Sequence, residues 1–378
     1  MNLMSEGLDI LKERGIKFVD RFVPYFLASY GAHHFNLVNR KTGIYKSFGR
    51  VPDTRLQILF TAPPGWSKSL LLKQLLHSDY GLVNNNTVPV RFMGSCTEAG
   101  WTGSSDGSGI NMVTVKGIAQ RLSTGIAGME EFAAIQAMME STHSSHLEQA
   151  LAMSLFEGDV EKDLKGTTIS YHTDISLWAG NQIMNFDLSG GLFRRFFHVY
   201  WTPRLKEAME LERAVWDGDN IKLNDARLTN YRAELARMSA TLHQVKSLEF
   251  TNDFKRLLSG VPHFEKNLYK SFGIGYSVMK SSDPPRHLVI DVDEYLDELV
   301  VTAIQWRRQL LADPRGFQVE SLMYDLGADQ VPVKWSTLRE RNLLFSVSYT
   351  DTDFIVATLL RASRVKYDSA EKTLQLVT

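Results

Sequence analysis

At 378 residues the chain is too long for one small core, so two or three modules are expected. An apolar share of 44% and a charged share of 22% exclude dominant disorder. Lys and Arg number 42 against 43 Asp and Glu, and the formal net charge of −1 excludes a whole-surface basic field, so any DNA site must be local.

The single cysteine, Cys96, excludes an intramolecular disulfide and a cysteine-based zinc site. A reducing compartment, the cytoplasm, is the natural expectation. The N-terminus carries acids early, which argues against a secretory signal. No later stretch reaches the roughly 18 apolar residues that a membrane span needs, so a non-membrane protein is expected.

Residues 5–30 read as one helix, a packing extension within residues 1–50, with Leu8, Leu11, Ile16, Val19 and Val23 as its apolar positions. From Arg55 onward short apolar runs alternate with longer helical stretches. The runs cover residues 56–60, 88–93, 174–179 and 196–201, and a further strand precedes Glu130. This alternation predicts an α/β core over residues 51–203 with a mainly parallel sheet and flanking helices.

Residues 204–312 read as a helical lid, in which Val292, Leu296, Leu299, Ala303, Trp306 and Leu310 fall on one helix face. Asp313, Pro314, Arg315 and Gly316 read as a linker. Beyond it, two or three short helices within residues 319–326, 336–342 and 352–362 and a terminal hairpin, residues 365–367 and 373–377, suggest a winged-helix-like module over residues 313–378. From Arg315 that module holds eight basic and eight acidic residues.

The run at residues 56–60 leads directly into Thr61-Ala62-Pro63-Pro64-Gly65-Trp66-Ser67-Lys68-Ser69, and a helix-forming run follows. Strand, loop and helix in this order are the context of a Walker A phosphate loop. The loop from Pro64 through Gly65, Trp66, Ser67 and Lys68 to Ser69 would cradle phosphates, with the backbone N–H groups after Pro64 as donors. Lys68 would pair with the β/γ-phosphates and Ser69 would put a hydroxyl on Mg²⁺. Two of the usual glycine positions hold Ala62 and Ser67.

The loop resembles the Walker A region of the minichromosome maintenance (MCM) helicases, a group of AAA+ ATPases. The resemblance continues through the stretch from Ser95 to Ser104, similar to the segment that opens the family's helix-2 insert. It takes in Gly125-Ile126-Ala127-Gly128-Met129-Glu130-Glu131-Phe132, similar to Walker B, and Asn181, which ends a strand as sensor 1 does. The run from Phe186 through Arg194, Arg195 and Phe196 resembles the arginine-finger segment. Together these elements span roughly residues 40–300. The family's N-terminal collar is missing, and Glu130 stands where Walker B has Asp, so a trimmed relative serving a small genome is implied.

What the resemblance implies is an AAA+ fold, ATP and Mg²⁺ as ligands, and a homo-oligomer, by family habit a hexamer. Glu130 would stand on the metal side, Glu131 would be the base, and Asn181 would hold the attacking water or γ-phosphate. Arg195, with Arg194 as the alternative, would act on the neighbour's site. His263 and Lys266 stand nearest the sensor 2 position, although neither is an arginine. In residues 156–170 a hairpin would project Lys162 or Lys165 into a ring channel to track DNA phosphates.

Bland readings stand beside these roles. An acidic pair is what a helix start attracts, and the lysines of the hairpin are surrounded by Glu157, Asp159, Glu161 and Asp163. The functional expectation is a DNA translocase or helicase working with other replication proteins. The alternatives are a MoxR-like protein remodeller and an ATP-gated initiator or loader.

Overall fold

The computed structural model describes residues 1–94, 96–106, 113–132, 135, 139, 146–164, 167–182, 192–217, 225–345 and 347–377. Ser95, the insert tip from Gly107, Lys165 and the run from Phe186 to Gly191 therefore lie outside the described residues.

The expected single helix over residues 5–30 is two, α1 (Leu3–Glu13) and α2 (Val19–Thr42). Gly15 at φ +75° and Phe18 at φ +57° break the chain between them. A glycine just past a helical run adopts the left-handed conformation at no steric cost, and that stop signal lay in the sequence. Helix α2 is buried along most of its length.

Five strands, β1 (Ile58–Thr61), β2 (Val90–Met93), β5 (Ile126–Met129), β8 (Ser176–Asn181) and β9 (Phe197–Tyr200), form a wholly parallel sheet in the order β2-β5-β8-β1-β9. Both faces are covered, as a parallel sheet requires. Ile58, Phe60 and Trp178 pack into the cluster that contains α2, while Leu59, Leu177 and Ala179 pack into a second cluster with Trp101, Leu147 and Leu151. This is the two-residue alternation of a strand buried on both sides.

Further elements intervene between these strands. Helix α3 (Lys68–Leu76) follows β1. After β2 come α4 (Glu98–Thr102), the strands β3 (Gly103–Asp106) and β4 (Val113–Lys116), and α5 (Ile118–Arg121). After β5, helix α6 (Leu147–Ala152) leads to an antiparallel hairpin of β6 (Asp159–Leu164) and β7 (Thr167–His172), which matches the hairpin read from residues 156–170.

The next region contains α7 (Leu205–Asp217), α8 (Asp225–Thr241), α9 (Asn252–Leu257), α10 (Lys266–Met279) and α11 (Glu294–Ala312). It is not purely helical as expected, because β10 (Ser247–Phe250) and β11 (His287–Ile290) pair as a two-stranded parallel ribbon. Those four-residue strands pair across 36 residues of intervening chain, a long-range contact invisible to local periodicity. On α11 the predicted stripe is buried at Leu296, Leu299, Ala303 and Leu310.

The expected linker at Asp313 is instead a helix start. Asp313 caps α12 (Pro314–Asp325) by accepting from Gly316 N, and proline takes the first turn, where its missing N–H is harmless. There follow β12 (Val333–Lys334), α13 (Trp335–Asn342), α14 (Tyr349–Arg361), β13 (Val365–Asp368) and β14 (Thr373–Leu376), with an antiparallel sheet in the order β12-β14-β13. Among the described residues no single helix is long and apolar enough to cross a membrane.

Candidate functional site

The carboxyl ends of β1, β5 and β8 lie side by side, with Thr61 opposite Asn181 and Met129 opposite Ala179. Open α/β sheets bind ligands at this edge. The loop after β1 turns through Gly65 at φ +79°, where an added Cβ would meet nothing, and Ser67 at φ +55°. Helix α3 begins at Lys68.

Lys68 is only 6% exposed. Its Nζ donates to the carbonyl oxygens of Ala62 at 2.9 Å and Pro63 at 2.8 Å, so the loop wraps around its own lysine. Burial pulls this ammonium down from the usual 10.5 to about 8, and the Glu131 carboxylate works in the opposite direction. Pro64 and Ser69 are half-buried, Ser67 is exposed and Trp66 is buried.

Glu130 and Glu131 follow β5 directly. Glu130 N donates to Met93 O at 3.2 Å and Phe132 N to Gly180 O at 2.7 Å, pinning the acidic pair to the strands on either side. An added Cβ at Gly180 would lie 2.4 Å from Glu130 O and 3.7 Å from the Lys68 Cβ, so this glycine lets the three segments meet. The Glu130 carboxylate lies 3.7 Å from Lys73 Nζ. Gln182 Nε2 donates to Glu131 Oε2 at 3.0 Å, and Glu131 Oε1 is buried with no partner among the described residues.

Asn181 is fully buried, and among the described residues neither Oδ1 nor Nδ2 has a partner; Thr61 Oγ1 beside it is equally unpartnered there. Its backbone is engaged, with Ala62 N donating to Asn181 O at 3.2 Å. Leaving a buried polar group unpaired costs about 1–3 kcal/mol. Four such atoms at one sheet edge, next to a buried lysine, mark a place built to receive polar ligand atoms.

Beside the loop lies a mainly apolar cavity of about 180 Å³, lined by Ile16, Phe18, Trp66, Ser67, Leu70 and Leu71 among others. Ile16 and Phe18 belong to the break between α1 and α2, which the sequence reading took as continuous helix. Gln182 and Lys73 were missed as well. A glutamine following a strand and a lysine in a helix carry no local signal, and only their approach to Glu131 and Glu130 distinguishes them.

The remaining expected residues stand apart from this cluster. Arg194 and Arg195 lie in a short 3₁₀ turn, Phe193–Arg195. Arg195 is half exposed, sits 5.8 Å over the Phe156 ring and reaches Glu157 at 3.9 Å. Both arginines line an open cavity of about 600 Å³ with Asp53, Arg55, Phe264 and Asn267. His263 is exposed and packs edge-on to Phe264, and Lys266 opens α10. Among the described residues no contact joins His263, Lys266, Arg194 or Arg195 to Lys68, so a ligand role for them beside Lys68 of the same chain has no support from packing.

Lys162 in β6 is not a free cation. Its Nζ pairs with Glu98 Oε1 at 2.8 Å and donates to Thr102 Oγ1 at 3.3 Å, while Tyr171 OH donates to Thr102 O at 3.1 Å. The hairpin is thereby tied to the base of the insert that carries β3 and β4.

Compared with models of protein families the chain matches none, and no curated protein proves similar to it.

Proposed function

We propose that this chain is an ATPase of the AAA+ class, similar to the MCM helicase motor, and that it works as a ring of identical subunits on DNA. The observation that carries the ATPase reading is the group of unpartnered buried atoms of Asn181, Glu131 and Thr61 at the sheet edge beside Lys68. The sheet order β2-β5-β8-β1-β9 supports the class, since β1 stands beside the strand that ends in Asn181.

In this reading the backbone from Pro64 to Ser69 and the Lys68 ammonium hold the phosphates. Ser69 and Glu130 supply hard oxygen ligands of the kind Mg²⁺ prefers, and when bound the ion neutralises charge that builds on the phosphoryl oxygens. Glu131, oriented through Oε2 by Gln182, keeps Oε1 for the attacking water. Asn181 positions that water or the γ-phosphate. The cavity at Ile16, Phe18, Leu70 and Leu71 takes the base. Arg195, with Arg194 as the alternative, makes no contact with Lys68 of its own chain among the described residues, which suits action on a neighbour's ATP.

For DNA the hairpin carrying Lys162 and Lys165 is the contact. The three helices and three-stranded antiparallel sheet at the C-terminus suit a winged helix. A protein-remodelling function is the second reading, favoured by the pairing of Lys162 with Glu98 and by exposed Tyr349 and Phe354 on α14, which also carries Asp351 and Asp353. An ATP-gated loader is the third.

Steady-state ATPase activity of wild type and Lys68→Ala, with and without single- and double-stranded DNA, separates them. Loss of activity in Lys68→Ala with several-fold stimulation of wild type by DNA is the expected result. Hydrolysis untouched by Lys68→Ala would overturn the ATPase assignment. Hydrolysis indifferent to DNA would favour the remodeller, and tight ATP-dependent DNA binding without strand separation the loader.

A further inference from the structure

Trp66 sits between the two residues of the phosphate loop with positive φ, Gly65 and Ser67. Its indole is 5% exposed. It meets Trp201, just past β9, edge-on at 5.0 Å and 87°, and stacks on Phe345 at 5.6 Å and 14°. Phe345 belongs to the C-terminal module, in the 3₁₀ turn Leu343–Phe345 that connects α13 to α14. In that turn Leu343 and Leu344 are 50% and 38% exposed, whereas Phe345 is 1% exposed. The turn therefore aims one ring at the core, and the ring it meets is that of the phosphate loop. Trp66 also lines the cavity assigned above to the base.

A left-handed non-glycine residue persists only where its surroundings over-determine it. Ser67 is such a residue, and the side chain next to it, Trp66, is the one the loop buries against two aromatic neighbours. Anchored outward, Trp66 holds the arc of backbone N–H groups open for phosphates. Released, it lets that arc relax, and ligand binding must then repeat the ordering at an entropic cost.

We propose that Phe345 is a positioning residue for the phosphate loop, and that docking of the C-terminal module on the core and nucleotide binding are linked through Trp66. The proposal rests on the ATP-binding reading of the loop. Linkage is reciprocal: a docked module raises nucleotide affinity, and bound nucleotide holds the module down by the same factor.

The test measures binding of a fluorescent ATP analogue, saturating kcat, and backbone hydrogen exchange over residues 335–361 with and without ATP. Phe345→Ala is expected to weaken binding about tenfold, the scale of one lost aromatic pair with its burial. Saturating kcat should stay within about twofold, because the reacting groups are untouched. In wild type, ATP slows exchange over residues 335–361, and Phe345→Ala abolishes that slowing. Phe345→Leu, which keeps apolar volume without a ring to stack, gives an intermediate affinity. Val331→Ala, at a position 66% exposed on the same module, leaves all three readouts unchanged.

Wild-type affinity in folded Phe345→Ala, or exchange in wild type that ignores ATP, would overturn the linkage. Lys68→Ala run in parallel keeps the two ideas apart. If it binds the analogue as wild type does, the reading of the loop fails. If it loses binding while Phe345→Ala does not, the linkage alone fails.

Discussion

Lys68 combines burial with a charge that its proposed task needs, and this has a pH signature. The free site holds the ammonium near 8, so above that pH a growing fraction must regain a proton before it can pair with phosphate. Affinity for ATP should be flat from pH 6.5 to 7.5 and fall toward about tenfold per pH unit above 8. Titrating a fluorescent ATP analogue across pH 6.5–9.5 checks this, and an affinity that stays flat to the end would remove Lys68 from the phosphates. Asn181 tests the other half of the site. Its side-chain amide has no partner among the described residues, which give the native state no side-chain hydrogen bond from it. Asn181→Ala should leave the thermal midpoint within a few degrees of wild type and lower kcat by about 100-fold or more, as loss of one preorganised group does. A large fall in midpoint with kcat intact would make Asn181 a structural residue.

Among the elements, α2 and α10 approach more closely than side chains normally allow. An added Cβ at Gly275 would lie 1.8 Å from Ala28 O, and one at Gly31 would lie 2.4 Å from Gly275 O. The two glycines bring backbone against backbone, tying the N-terminal helix to the region that follows the sheet. Gly275→Ala should therefore destabilise by about 3 kcal/mol or more, because neither helix can yield without opening the shared core. Urea unfolding reads this out, and a midpoint near wild type would show that the crossing relaxes freely. Gly275 lies in a region that reads as helical and Gly31 one residue past the helix read over residues 5–30, and at such places a glycine signals only a weaker helix or its end. Nothing local distinguishes one at a crossing from a tolerated one. The loop leading to Lys68 is the opposite case, because strand, Pro-Gly turn and Lys-Ser helix start are contiguous and so readable.

Across the whole molecule, several histidines are buried in ways that oppose protonation. Burial takes His33 to about 4 and His34 and His198 to about 3, against the usual 6.5. His33 is neutral between Ser176 Oγ at 2.8 Å and Thr124 O at 3.0 Å, and His34 meets Ser239 Oγ at 2.9 Å. A group whose folded value is depressed binds protons more readily when unfolded. Its contribution to stability is thus fully present above about 6.5 and is lost as pH falls toward 4 and 3. The slope is up to about 1.4 kcal/mol per pH unit for each histidine. Unfolding free energy measured by urea at pH 7.5, 6, 5 and 4.5 should fall steeply below 6.5, and His34→Gln should flatten that fall. A pH-independent midpoint down to 4.5 would mean that these rings protonate in place.

What the sequence by itself determined about this protein is the succession of strands in the core sheet, the loop that ends at Lys68, the acidic pair at Glu130 and Glu131, and the short helices and hairpin of the C-terminal module. Each is written in neighbouring residues, through a period of 2 or 3.6 or through turn and cap chemistry. Only the tertiary structure decided that α2 lies in the core, that β10 and β11 pair, that Gln182 holds Glu131, that Lys162 is tied to Glu98, and that Phe345 reaches Trp66. These join residues between 40 and 279 positions apart, or turn on burial that no local window reports. They depend on how the chain packs on itself, and packing is a property of the whole chain rather than of any stretch of it.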